Sequence, residues 1–157
     1  MTSTLTVTLP SDREVVLTRE FDAPRELVFR AFTSCEHLKH WWGQAGSSLT
    51  HCELDFRPGG AWRIVERDAG GSEWGFHGEV REIDPPERIV QTFEFEGMPG
   101  HVSVDTLVLE DLGGNRTRLV TTSVFDSPED RDGMLQSGME KGASESYDRL
   151  AAYLARQ

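Results

Sequence analysis

The C-terminal segment from Ser127 onward predicts one long amphipathic helix that carries glycines on its apolar face. Apolar side chains recur along it at every third or fourth position, as on a helix that packs on a core: Leu135, Met139, Ala143, Tyr147, Leu150 and Leu154. Gly138 and Gly142 lie on the same stripe, where each costs roughly 1 kcal/mol of helix stability relative to alanine. The absence of side chains on this face indicates either a close backbone contact or an empty space beneath the helix.

Ahead of this helix, segments with strand character alternate with short turns. The first strand is predicted at 14–21, and two short helices follow at 25–33 and 35–40. Turns rich in glycine, proline and aspartate separate six further strands: 50–56, 61–68, 73–83, 88–95, 101–109 and 117–125. Short turns join antiparallel neighbours. The expected fold is therefore α+β, with a curled seven-stranded antiparallel sheet wrapped around the C-terminal helix.

Length, charge and cysteine content limit what the chain can be. Its 157 residues fit a single domain, which we place at 14–157, after an N-terminal tail of residues 1–13. The net charge of −11 argues against a nucleic-acid partner, because phosphate would be repelled. With no membrane-length apolar run and no signal-peptide layout, we predict no membrane insertion and a cytoplasmic location. Cys35 and Cys52 show no paired spacing and are expected to be free thiols.

Five motifs in order resemble those of a known family. They are EFDAPRELVFRA at 20–31, HWWG at 40–43, FRPGG at 56–60, GEVREIDPPER at 78–88 and SYDRLAAYL at 146–154. They are similar to motifs of the bacterial single-domain homologues of the activator of the 90-kDa heat-shock protein ATPase. That group belongs to the START/birch-allergen-like, or SRPBCC, superfamily. The resemblance implies a helix-grip fold, and it admits lipid carriers, aromatase/cyclases, hormone receptors and co-chaperone domains.

Aromatic and small residues together predict an internal cavity. Alternation places Trp74, Phe76, Gly78 and Val80 on one face of their strand, and Ile89, Gln91, Phe93 and Phe95 on one face of the next. If these faces are concave, they line an apolar cavity beneath the glycines of the helix. The predicted ligand-binding residues are Trp41, Trp42, Phe56, Trp62, Trp74, Phe76, Gln91, Phe93, Phe95, Met134, Gly138, Met139 and Gly142.

Other chemistry-bearing residues form no recognisable constellation. His37 and His40 are three residues apart near Cys35, but the tight paired spacing of a structural zinc site is absent. Glu79 and Asp105 are expected to face solvent from their strands. No catalytic signature or phosphate-binding loop occurs, so no catalytic residue, metal or cofactor is predicted.

Three functions from different classes remain open. The first is binding of a small hydrophobic or aromatic molecule between the sheet and the C-terminal helix. The second is an aromatase/cyclase-like or hydrolase-like enzyme, which would place a desolvated His77, Glu79 or Asp105 in the cavity. The third is a co-chaperone-like interaction module, which would have a filled core and an exposed apolar patch. A homodimer and a chaperone partner are also left open.

Overall fold

A computed structural model describes residues 4–157 and contains one sheet and four helices over that range. The strands are β1 (Thr6–Thr8), β2 (Glu14–Phe21), β3 (Ser48–Leu54), β4 (Ala61–Arg67), β5 (Glu73–Asp84), β6 (Arg88–Phe95), β7 (Val102–Gly113) and β8 (Arg116–Val124). The helices are α1 (Arg25–Arg30), α2 (Cys35–Leu38), α3 (Pro128–Gln136) and α4 (Met139–Ala155). No helix within these residues is both long and apolar enough to span a bilayer.

All eight strands form a single antiparallel sheet in the order β1-β2-β8-β7-β6-β5-β4-β3. The pairing register shifts in β3, in β5 between Val80 and Glu82, and in β7 between Asp111 and Gly113. Irregularities of this kind bend a strand and increase its twist. The sheet therefore curls around the C-terminal helices, which confirms the predicted α+β helix-grip fold.

The predicted strand count was too low by one. Thr6–Thr8 pairs with β2, in a register that joins Thr6 to Thr18 and Thr8 to Val16. Leu5 and Val7 pack there against a small core cluster of Val15, Leu17 and Phe125. A three-residue strand is too short to show an alternating pattern, so the sequence assigned it to the tail. Residues 1–3 of that tail lie outside the described residues.

The predicted single C-terminal helix is two helices. Ser127 caps α3, because its hydroxyl accepts a hydrogen bond from the Asp130 amide at 3.1 Å, and Pro128 follows it. The helix ends at Gln136, and α4 begins at Met139. Between them Gly138 has a φ of 89°, a left-handed conformation that glycine adopts without a steric penalty. Gly138 is thus a helix boundary rather than a position on a continuous apolar stripe.

The prediction of free thiols was wrong, because Cys35 and Cys52 form a disulfide. It joins the first residue of α2 to β3, and the two Cα atoms lie 5.9 Å apart. The pairing depends on β3 returning past α2, which residue spacing alone does not reveal. The bond closes a short loop, for which a stabilisation of about 3 kcal/mol is typical. It fixes the helical segment that leads into Trp41 and Trp42.

The main core occupies only part of the space between sheet and helices. Its buried residues include Phe21, Val28, Trp41 and Ile89, together with Leu150 of α4. Tyr153 and Leu154 are also buried, whereas no residue of α4 before Leu150 is. The sheet therefore packs tightly against the C-terminal half of α4. The space beneath α3 and the N-terminal half of α4 is where the candidate site lies.

Candidate functional site

A cavity of about 510 Å³ lies between the concave face of the sheet and the N-terminal half of α4. Strands β2 to β8, both C-terminal helices and the segment after α2 contribute to its walls. Exposed members of the lining, such as Gln44, Trp74, Gly138 and Lys141, mark the opening of the cavity between the α3–α4 junction, the segment after α2 and the start of β5. Its volume lies within the range of small-molecule sites in proteins.

Aromatic side chains from β4, β5 and β6 form one wall. The ring centroids of Phe76 and Phe93 lie 5.5 Å apart, and those of Phe76 and Trp42 lie 5.1 Å apart in an edge-to-face contact. Trp62 continues the array against Phe93 at 5.9 Å, and its indole N–H donates to the Thr92 carbonyl. Rings that contact one another at these distances form a fixed apolar surface.

A glycine behind this wall lets the indole of Trp62 approach the sheet. A Cβ at Gly78 would clash with the Thr92 carbonyl oxygen and would lie 2.6 Å from the indole nitrogen of Trp62. Glycine at this position thus permits the hydrogen bond from Trp62 to Thr92. We infer that Gly78 positions the aromatic wall without itself bordering the cavity.

The structure brings together all but one of the predicted ligand-binding residues. Every predicted residue except Phe56 borders the cavity. Phe56 packs instead edge-to-face on Phe29 of α1, with 6.0 Å between ring centroids. Its strand β3 ends at Leu54, so Phe56 lies in the following turn and outside the alternation that faces the cavity.

The two helix glycines leave space and make no close backbone contact. A Cβ placed on Gly138 would meet no atom within 4 Å, and one on Gly142 would meet only Cγ of Gln44, at 4.0 Å. Of the two alternatives that the sequence left open, Gly142 therefore supports empty space, whereas Gly138 is exposed and its left-handed φ accounts for the glycine there. Gly142 is the informative position, since it has ordinary helical geometry and borders the cavity.

The opposite wall is polar, which the sequence did not predict. Ser103 and Asp105 of β7 and Thr121 and Ser123 of β8 all border the cavity. Asp105 pairs with Gln91 of β6 on one side and with Ser123 on the other. The expectation that Asp105 faces solvent was wrong, because its parity along β7 is that of the buried Leu107 and Leu109. Glu79 is exposed, as expected.

Burial raises the pKa of one group in this wall and of one group that faces it from α4. Loss of solvent raises the pKa of Asp105 to about 6, although hydrogen bonds from the Ser123 and Ser103 hydroxyls favour its charged form. The Ser103 hydroxyl lies 3.0 Å from Oδ1 of Asp105. Burial also raises the pKa of Tyr147 in α4, and the nearby charge of Asp105 adds to that increase. The Tyr147 hydroxyl lies 3.4 Å from that of Thr121.

Side chains of α4 hold the segment after α2 over the cavity. The Ser146 hydroxyl accepts from the Gly43 amide at 3.0 Å, and a Glu145 carboxylate oxygen accepts from the Ala45 amide at 3.1 Å. Arg149 donates to the Gln44 carbonyl at 2.9 Å. Glu145 and Arg149 thus hold this segment over the cavity, together with the buried Glu66, which accepts from the Gln44 amide.

Comparison with known proteins places the fold in a family. The family model of the Activator of Hsp90 ATPase homolog 1-like proteins matches residues 22–155, which is most of the chain. The chain belongs to this family. The AHSA1-like assignment confirms the resemblance drawn from the five sequence motifs.

Solved structures of bacterial proteins are similar over nearly the whole AHSA1-like chain. A Rhodobacter sphaeroides protein is 27% identical, with a TM-score of 0.88 over 98% of this chain and 99% of that one. The AHSA1 protein from Silicibacter pomeroyi is 27% identical, with a TM-score of 0.75 over 90% and 97%. An Arthrobacter aurescens protein is 25% identical, with a TM-score of 0.85 over 97% and 92%. Among curated proteins, none matches the chain significantly.

The histidines of this AHSA1-like protein lie outside the cavity lining. His37 contacts the Tyr153 hydroxyl through Nδ1 at 2.7 Å, and His40 stacks on the same ring. His77 lies beside Glu94 and Glu96, while His101 contacts Asp130 at 2.6 Å. Within residues 4–157, no three histidine, cysteine or carboxylate side chains cluster as metal ligands would.

Proposed function

We propose that this AHSA1-like protein binds a small apolar molecule with an aromatic or similarly flat body in the cavity. The observation that supports this most directly is the 510 Å³ space between the aromatic wall and Gly142, where side chains could have filled a core. Cavities of this size can enclose most of the surface of a small ligand. Family membership is compatible with ligand binding and with a co-chaperone-like role, and the unfilled core favours ligand binding.

A second candidate function is an enzyme that uses the same cavity. The observation in its favour is Asp105, a desolvated carboxylate with a pKa of about 6 that borders the space where a substrate would lie. A group with such a pKa can accept or donate a proton near neutral pH. Incubation of a bound ligand with the protein, followed by mass spectrometry of the recovered small molecule, distinguishes turnover from simple binding.

Substitution at Gly142 tests the binding proposal. We expect the neutral fluorophore N-phenyl-1-naphthylamine to bind the wild-type protein saturably at one site. The leucine side chain of Gly142→Leu would occupy the cavity and should weaken binding about tenfold or more, whereas Gly142→Ala should change it only slightly. Because glycine is a poor helix former, Gly142→Leu should keep or raise the melting temperature. Gly138 is unsuitable for this test, since its φ of 89° strains any side chain.

A glycine outside the lining provides the matched control. Gly133 lies in α3 and does not border the cavity, so Gly133→Leu makes the same helix substitution without filling it. Equal fluorophore affinity in wild-type protein and in all three variants would place binding elsewhere and overturn the proposal. It would also fail if the wild-type protein bound no fluorophore and native mass spectrometry of protein from its own host found only the bare chain.

A further inference from the structure

The polar wall of the cavity indicates which chemical class of ligand fits. We propose that the ligand carries a protonated amine on its apolar body and that Asp105 binds this ammonium group as its ionic partner. This inference rests on the proposed function, because it names the ligand class of the same cavity. It assigns Asp105 the role of a specificity-determining residue, with the aromatic wall receiving the rest of the molecule.

Asp105 has unused hydrogen-bonding capacity on the cavity side. An ionised carboxylate offers about four acceptor positions. Protein donors to Asp105 are the hydroxyls of Ser103 and Ser123, which stand beside it on the concave face. Asp105 also borders the open cavity, so a ligand there can reach the acceptor positions that the two hydroxyls leave unused. A donor arriving with the ligand would therefore find a partner already oriented by two hydroxyls.

The charge balance around Asp105 favours a cation over a neutral or anionic group. Two hydroxyl groups stabilise its charged form, and no arginine or lysine of the described residues does so. Lys141 borders the cavity too, but it is exposed and does not act on the Asp105 pKa. The buried Glu66 adds another carboxylate to the lining. A desolvated carboxylate is costly without an opposite charge, and a ligand ammonium would supply one.

The aromatic wall suits the same class of ligand. Ring faces carry partial negative charge and attract cations, while their area binds apolar groups. In this cavity Phe93 lies on β6, two residues from Gln91 and on the strand next to that of Asp105, and Trp62 continues the ring surface beyond Phe93. An amine attached to a flat apolar body could therefore place its charge at Asp105 and its body on the rings. A carboxylate-bearing ligand such as a fatty acid would meet the like charge of Asp105.

Three probes with one ring system and different charges test the inference. They are 2-naphthylmethylamine, 2-naphthylmethanol and 2-naphthoic acid, titrated into the protein at about pH 7.5, where Asp105 is ionised and the amine is protonated. We expect the amine to bind about tenfold more tightly than the alcohol, and the acid to bind most weakly. Asp105→Asn should reduce the amine advantage to about twofold while leaving the alcohol affinity nearly unchanged.

The control variant removes a carboxylate outside the cavity. Glu79 is exposed and does not border the cavity, so Glu79→Gln removes the same charge without touching the lining and should change amine affinity less than about twofold. Equal binding of amine and alcohol by the wild-type protein would overturn the ammonium assignment. An equal loss of both with Asp105→Asn would show recognition of a neutral donor instead. In both cases the cavity proposal stands, whereas binding of none of the probes would count against the cavity itself.

Discussion

The two walls of the cavity are made by neighbouring strands of one sheet, yet their chemistry is opposite. On β4, β5 and β6, the side chains of Trp62, Phe76 and Phe93 contact one another and form an aromatic wall. On β7 and β8, the corresponding face carries Ser103, Asp105 and Ser123. The aromatic wall gains stability from burial and ring contacts. The polar wall contains a half-buried carboxylate, whose loss of solvent is unfavourable for an empty protein.

The two walls therefore differ in what their residues contribute: some stabilise the fold, and others serve the proposed site at a cost in stability. Trp62 contributes to the core and to the cavity at once, so its removal should damage both. Asp105 costs stability at neutral pH, because burial raises its pKa. Sites that bind ligands commonly retain groups that are unfavourable for folding alone. Trp62→Ala and Asp105→Asn should therefore have effects of opposite sign on the free energy of unfolding at neutral pH.

The largest expected effect is in the aromatic wall. Trp62→Ala should lower the free energy of unfolding by about 3–5 kcal/mol, because it removes a buried ring that packs on Phe93 and donates to the Thr92 carbonyl. Urea unfolding measures this loss. Ser123→Ala in the polar wall is the comparison, with an expected change of about 1 kcal/mol or less. A similar loss in both variants would mean that the two walls do not differ in their contribution to stability.

Next in size is a stabilisation by Asp105→Asn. A rise of the Asp105 pKa from 3.8 to about 6 on folding corresponds to a cost of about 3 kcal/mol when the carboxyl is ionised. Between about pH 4 and pH 6, Asp105 keeps its proton in the folded protein, whereas the unfolded chain has lost it. The free energy of unfolding therefore falls as the pH rises through this range. Asp105→Asn should remove this pH-dependent loss and raise the melting temperature at pH 7, with little change near pH 4.

Neighbouring groups do not reverse the sign of this prediction. Tyr147 faces the wall from α4 and stays neutral through this range because burial raises its pKa. Ser103 and Ser123 do not titrate. Glu66 remains in the variant and in the wild-type protein alike, so its contribution cancels in the difference between the two proteins. If Asp105→Asn destabilised the protein at pH 7, the carboxylate would be a structural element of the fold.

The aromatic wall could be predicted from the sequence because it follows a local rule. Side chains alternate across a strand, and the aromatic residues of β5 and β6 share one parity. The polar wall obeys the same alternation, but the expectation that polar residues face water assigned Asp105 to the wrong face. Its parity with Leu107 and Leu109 was the available signal. Because those two leucines face the core, strand alternation places Asp105 on the same concave side.

Features that depend on distant contacts were not predictable in this way. The disulfide needs Cys35 and Cys52 to meet, and their approach is set by how β3 passes α2 rather than by spacing. The break at Gly138 is also ambiguous, because an amphipathic stripe continues across it and glycine is compatible with a helix at moderate cost. On both sides of the break, Met134 and Leu135 of α3 and Met139 of α4 pack on the small core cluster around Phe125.

The smallest expected effect concerns Tyr147, which joins α4 to the polar wall. Its hydroxyl is 3.4 Å from that of Thr121, a long contact, while its ring packs edge-to-face on Phe21 with 6.1 Å between centroids. Tyr147→Phe keeps the ring and should change the free energy of unfolding by less than about 1 kcal/mol in urea titrations. A loss of about 2 kcal/mol or more would show that the hydroxyls of this wall form a cooperative network that supports the fold. A small change would instead mean that this hydroxyl adds little to the stability of the fold, so that the polar wall keeps hydrogen-bonding capacity for a ligand in the cavity.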